Sequence, residues 1–206
     1  VDDDMRVFIN NAWQAPLTDI YSANEVGYMA LQCPDHKHYH IQAENLLLEI
    51  LDKNGDECKP GEIGRVVITD LHNYAMPLIR YEIGDYAEVG GPCPCGRGLP
   101  VIKRILGRSR NMVILPDGTR FWPRFSYKKL WNIAPIQQIQ LTQHNLETVE
   151  VKLACPEKMT ATQESQFTAL IQESIGHPFQ ITISYVDHIA RSKGGKHEDF
   201  VSKVKQ

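Results

Sequence analysis

What most constrains the fold of this chain is a ladder of short apolar runs set between turn signals in its first half. The run Leu46-Leu47-Leu48-Glu49-Ile50-Leu51 stops at Lys53-Asn54-Gly55-Asp56, and Asn-Gly is a strong hairpin signal because both residues accept positive φ. A second turn at Pro60-Gly61 precedes Val66-Val67-Ile68, and further runs follow at 77–86 and 101–106. Strands at this spacing predict an antiparallel sheet or small barrel. The opening Asp2-Asp3-Asp4 leads into Met5-Arg6-Val7-Phe8-Ile9, which reads as the middle of a sheet.

The second half changes character. Gly107-Arg108-Ser109-Arg110-Asn111 is polar, cationic and flanked by apolar runs, the composition of an exposed connector, and it places a domain boundary between 1–107 and 108–206. Beyond it, Pro116-Asp117-Gly118 between Met112-Val113-Ile114-Leu115 and Phe121-Trp122 predicts a hairpin. Two β-rich runs follow at 136–142 and 148–154. Thr160-Ala161-Thr162-Gln163 has the capping-box pattern, and Phe167, Leu170 and Ile171 share one helical face before Gly176 and Pro178 end it. A last strand is predicted at 181–186. Strand, strand, helix, strand makes a compact domain, so the fold class is α+β.

Composition removes several function classes. A net charge of −3 gives no basic footprint for nucleic acid or anionic membrane, and no apolar run nears the ~20 residues of a membrane span. The start lacks a secretory pattern, so the cytoplasm is the expected compartment. Five cysteines, an odd number, point to thiols or metal ligands more than to a disulfide framework. Cys93-Pro94-Cys95 sets two thiols in a tight loop, and Cys33 precedes His36, His38 and His40. Three thiolates and one imidazole would make a closed, structural zinc site with no position left for a catalytic water. The expected set is Cys33, Cys93 and Cys95 with His40 or His36; a reduced thiol cluster is the alternative. Cys58 and Cys155 read as isolated thiols.

Chemistry concentrates in Met76-Pro77-Leu78-Ile79-Arg80-Tyr81-Glu82-Ile83-Gly84-Asp85. An apolar run ending in Gly-Asp reads as a strand that delivers one carboxylate into a turn, and an ionised carboxylate can accept from two neighbouring hydroxyls, as on a ribose. By itself Gly-Asp also closes ordinary hairpins. Three more stretches change its weight: Tyr21-Ser22-Ala23-Asn24-Glu25, Gly107-Arg108-Ser109, and Arg191-Ser192-Lys193-Gly194-Gly195-Lys196.

In this order the four stretches resemble the adenylate-forming enzymes, closest to the phenylacetate–coenzyme A ligase branch, over about 21–196. The resemblance implies the C-terminal part of the large AMP-binding domain, with a distorted antiparallel barrel, followed by a small α+β domain. It implies ATP, magnesium and coenzyme A as cofactors and a small aromatic or aliphatic carboxylic acid as substrate. Tyr21 would stack on adenine, Glu25 would hold magnesium, Asp85 the ribose, and Arg108 ribose or phosphate. Arg110 stands at the hinge, where the family usually has Asp or Lys. Lys196 would be the catalytic lysine, with Lys193 its rival. Arg80 is left between a structural and a functional role.

The family also carries a Ser/Thr/Gly-rich phosphate loop well before the Tyr-x-x-x-Glu stretch, and nothing of that type stands in this sequence. The chain is therefore read as the C-terminal portion of a longer enzyme, inactive alone, with a naturally reduced relative as the alternative. Two other readings stay open: an adenylating enzyme with an acceptor other than coenzyme A, and a non-catalytic zinc-stapled module. A homodimer is open as the assembly.

Overall fold

The computed structural model describes residues 3–191 and 197–204. They separate into two compact units, Val1–Ser109 and Arg110–Gln206. Among the described residues no helix is long and apolar enough to cross a membrane.

The first unit opens with a helix, α1 (Asp3–Trp13), where the sequence predicted sheet. Val7-Phe8-Ile9 is too short an apolar run to fix a period, and both periods fit it. What decides is the end. Gln14 takes a left-handed φ of 51°, its N–H donates to the Asn10 carbonyl at 2.8 Å, and Pro16 follows, a helix stop in conformation and sequence. Arg6 then reaches the Leu17 carbonyl at 3.2 Å and ties the helix to the segment leading into the sheet.

Seven strands follow: β1 (Ile20–Ala23), β2 (Gly27–Gln32), β3 (Tyr39–Ile41), β4 (Leu46–Leu51), β5 (Ile63–Asp70), β6 (Tyr81–Val89) and β7 (Val101–Arg108). They form one antiparallel sheet in the order β1-β2-β3-β7-β6-β5-β4. The β4–β5 connection begins at the expected Asn-Gly turn, where Asp52 accepts from the Asn54 and Asp56 N–H groups at 2.8 and 3.0 Å. Every strand supplies the same apolar cluster: Tyr21, Met29, Ile41, Leu46, Val66, Ile68, Ala87 and Ile102 are all buried in it. The end strands β1 and β4 are not paired with each other among the described residues, so the expected barrel is an open one.

Two details of β6 correct the sequence reading. The run at 77–86 was expected to be strand throughout, but β6 begins only at Tyr81. Pro77 has no N–H to give a ladder, and Arg80 takes a left-handed φ of 49° that turns the chain into the sheet. Its N–H donates to Thr69 Oγ1 at 3.0 Å and its guanidinium pairs with Glu49 at 3.2 Å, which favours the structural role for Arg80. The second correction is that Gly84-Asp85 lies inside β6 and not in a turn.

In the second unit a short hairpin, β8 (Val113–Ile114) with β9 (Arg120–Phe121), precedes α2 (Tyr127–Ile133), which sequence reasoning missed. A seven-residue helix burying only Leu130 offers no periodic signal. Then come β10 (Gln138–Gln143), β11 (Thr148–Ala154), α3 (Ala161–Ser174), β12 (Gln180–Tyr185) and β13 (Phe200–Ser202), in a sheet ordered β12-β11-β10-β13. Alternation sets the core: Ile139 and Leu141 face Val149, Val151 and Leu153, and α3 covers them with Phe167 and Ile171. The capping box at Thr160 and Gln163 is present. Strand β11 runs parallel to β12 because α3 carries the chain back between them.

One buried polar group holds this unit together. Gln143 is fully buried; its Oε1 accepts from the Ile114 N–H at 3.1 Å and from Ser202 Oγ at 3.0 Å, and its Nε2 donates to the Ile114 carbonyl at 2.7 Å. Replacing it with Met keeps the volume but strands both backbone groups, each worth about 1–3 kcal/mol when buried and unpaired. Gln143→Met is expected to lower the unfolding free energy of this unit by roughly 2–4 kcal/mol in a urea titration. A loss below measurement error would contradict this account.

Candidate nucleotide and metal sites

Asp85 is aimed by a defect in its own strand. Arg65 pairs with Tyr86 and Val67 with Glu82, so three β6 residues stand where one β5 residue does. Gly84 sits in this bulge at φ +86°, a conformation that costs a non-glycine residue about 1–2 kcal/mol. On the other side Asp85 is the register partner of Arg108 in β7. The carboxylate meets two groups: the Tyr21 hydroxyl donates to Oδ2 at 2.9 Å, and Arg108 Nε lies 3.6 Å from Oδ1. Three residues far apart in sequence thus meet at one carboxylate, whose side chain remains partly exposed.

Tyr21 reaches this carboxylate from the core. It is 7% exposed and packs in the apolar cluster; burial, then the Asp85 charge, raises its pKa well above the usual tyrosine range. Glu25 lies apart from it, exposed in the turn between β1 and β2.

A second convergence joins the β2–β3 connection to the β6–β7 loop. Cys33, His40, Cys93 and Cys95 place one ligand atom each within 4.8 Å of one another. Cys33 Sγ is 3.9 Å from Cys93 Sγ, and Cys95 Sγ is 3.3 Å from His40 Nε2. Tetrahedral zinc with ordinary bond lengths requires S···S near ~3.8 Å and S···N near ~3.5 Å, so the donor set fits that ion. His40 is buried, and its Nδ1 has no partner among the described residues. The structure brings in His40; His36 is exposed and stacks on His38 instead, ring centroids 5.0 Å apart. Arg97, which sequence reasoning overlooked, hydrogen-bonds Cys95 through its backbone and side chain and holds that thiol down to about 6, while burial pushes Cys93 up to about 11. A cation two residues beyond Cys95 was the available signal. Cys58 and Cys155 stand outside the cluster.

Over 208 aligned residues the chain is 26% identical to the phenylacetate–coenzyme A ligase of Thermus thermophilus, covering 87% of this chain and 46% of the relative. It is also 26% identical to the ligase of that name from Pseudomonas putida, with 93% and 46% covered. The chain is similar in sequence to phenylacetate–coenzyme A ligases. It spans about half the length of the curated relatives it matches.

Residues 119–203 match the CapK C-terminal domain family. The fold of this chain matches 2-hydroxyisobutyryl-CoA ligase in the postadenylation state, with TM-score 0.73 and 18% identity, covering 97% of this chain and 45% of that one. It also matches o-succinylbenzoate CoA synthetase from Bacillus subtilis, with TM-score 0.65 and 12% identity, covering 94% and 42%. Both neighbours support the α+β reading: helices, an antiparallel sheet and a small C-terminal α/β unit, as in the C-terminal part of adenylate-forming CoA ligases.

Of the remaining positions expected from the resemblance, Arg110 is the first residue of the second unit and pairs with Glu198. Lys196 and Lys193 lie outside the described residues. Sequence reasoning also missed Glu88, buried between Lys103 at 2.7 Å and Arg104, which keep its carboxyl below the usual carboxylate range.

Proposed function

We propose that this chain supplies the ribose-holding part and the small C-terminal domain, residues 108–206, of an ATP-dependent acid–coenzyme A ligase of the phenylacetate–coenzyme A ligase type. The observation that carries the reading is the meeting of Tyr21 and Arg108 at Asp85, each from a different family-like stretch. ATP supplies an electrophilic α-phosphorus that a substrate carboxylate attacks, giving acyl-adenylate and pyrophosphate; the coenzyme A thiol, losing its proton, then attacks the acyl carbonyl, giving the thioester and releasing AMP.

Asp85 accepts from the two ribose hydroxyls with lone pairs that Tyr21 leaves unused, since an ionised carboxylate has about four acceptor positions. The Tyr21 hydroxyl orients that carboxylate, a role that replaces the ring stacking expected from the sequence. Arg108 offers its guanidinium to ribose or phosphate. Glu25, exposed on its turn, is a hard oxygen ligand of the type magnesium takes beside phosphates. Lys196 stabilises the negative charge that develops at the reacting carboxylate, and Arg110 is the hinge between the half-reactions. The thiolates of Cys33, Cys93 and Cys95 with His40 hold a zinc ion whose part is structural.

The reading is tested by pyrophosphate release at ligase length, with the residues ahead of Val1 supplied by the Thermus thermophilus relative. Release that depends on a small aromatic or aliphatic acid, followed by coenzyme A-dependent loss of the acyl-adenylate, is the expected result. Release without coenzyme A dependence would move the acceptor elsewhere. No release with any acid, from a folded protein, would overturn the adenylating role.

A further inference from the structure

The four donors gathered in the first unit also contain a thiol pair. Cys33 Sγ and Cys93 Sγ lie 3.9 Å apart, while Cys95 Sγ turns to His40 Nε2 at 3.3 Å. A disulfide holds its sulfurs about 2 Å apart, so the first pair needs an approach of roughly 2 Å. One partner can supply it: Cys93 stands in the loop between β6 and β7, outside both strands. Exposure divides the roles. Cys93 is half-buried and meets solvent, whereas Cys33, directly after β2, is 1% exposed. The rival pairing of Cys93 with Cys95 would close a ring over a single residue, Pro94, whose φ is locked at about −65°.

We propose that Cys33 and Cys93 form a reversible disulfide, with hydrogen peroxide as oxidant, that takes over from zinc the tie between the β2–β3 connection and the β6–β7 loop. The proposal rests on the zinc reading above. The Cys93 thiolate attacks one peroxide oxygen; the O–O bond breaks, the sulfur becomes a sulfenic acid and hydroxide leaves. The Cys33 thiolate then attacks that sulfur; the S–S bond forms, the S–OH bond breaks and a second hydroxide leaves. Each sulfur gives up one electron, the peroxide takes both, and two protons from solvent turn the hydroxides into water. Cys95 and His40 remain, two donors where a closed site uses four, so the ion is released. The two states exclude one another, yet both join the same segments across 60 residues of sequence. Either tie removes the freedom of a loop of that length from the unfolded chain, so oxidation exchanges one staple for another.

The test uses the zinc-loaded 206-residue chain and one equivalent of hydrogen peroxide. Release of the zinc is expected, with tryptic peptides 7–37 and 81–97 joined through Cys33 and Cys93. A dithiol should separate them and restore zinc binding. The thermal midpoint of the oxidised chain should stay within about 5 °C of the zinc-loaded one, because a crosslink over a long loop replaces the ion. A chelator under reducing conditions takes the same ion and leaves neither tie, so there the midpoint falls. Cys95→Ser, which has no Cys93–Cys95 bridge to make, should still give the crosslink. A Cys93–Cys95 bridge in the parent, sulfinic acid at Cys93 with no crosslink, or a midpoint that falls as far as with chelator would overturn the proposal. Zinc content is measured before peroxide is added, so the two readings fail separately: a zinc-free chain that still crosslinks keeps the disulfide and loses the metal, and a zinc-loaded chain without the crosslink does the reverse.

Discussion

Treated with a strong chelator, the protein purified with one zinc per chain is expected to lose about 4 kcal/mol of first-unit stability, the linkage value for free zinc at a thousand times its dissociation constant. For a unit of this size that corresponds to a fall in thermal midpoint of roughly 15–30 °C. The reason is the placement of the ligands. Cys33 and His40 flank the β2–β3 connection, while Cys93 and Cys95 lie in the loop between β6 and β7. A single ion would therefore close a long loop across the middle of the sheet, on a face where His40 Nδ1 has no partner among the described residues. Cys95→Ser should reproduce the chelator's effect and leave less than one zinc per chain, whereas Cys58→Ser and Cys155→Ser should do neither. A chain that holds no zinc in metal analysis, or whose midpoint ignores the chelator, would reduce the four residues to a thiol cluster.

Asp85→Ala is expected to weaken binding of a non-hydrolysable acyl-adenylate analogue by about 10²–10⁴-fold at ligase length, because two hydrogen bonds to a charged acceptor, each ~1.5–3 kcal/mol, are lost together. Asp85→Asn should fall between, since an amide oxygen still accepts from one hydroxyl. Tyr21→Phe separates orientation from binding: the ring stays in its cluster, the carboxylate keeps its charge, and only the donor at 2.9 Å is gone. Its expected cost is about tenfold, in line with one hydrogen bond to a charged group. Calorimetric titration reads all three. Equal affinity for Asp85→Ala and its parent would remove the ribose role and leave the bulge at Gly84 without a functional explanation.

The two sites differ in how far they could be read beforehand. Cys33, His40, Cys93 and Cys95 are chemically distinctive, so their residue types alone narrowed the donor set; which histidine joins was open, because His36 and His40 both follow Cys33 within a few residues. The choice is made by β3, where His40 is buried and His36 falls before the strand, exposed. Asp85 was legible as a carboxylate beside a glycine, but not as a bulge residue. A bulge is a mismatch between two strands, and one strand's sequence does not contain the count of the other.

Local signals by themselves determined the elements with strong punctuation: the Asn54-Gly55 turn, the α3 capping box, and the alternating runs that became β10 and β11. Each depends on backbone preferences and side-chain periods that act over a few residues. Tertiary structure decided the rest. It made a helix of α1, whose apolar run suits either period, and it formed α2 and β13 from segments with no period to read. It also buried Tyr21 and set its hydroxyl on Asp85, because the exposure of a side chain depends on which distant strand covers it.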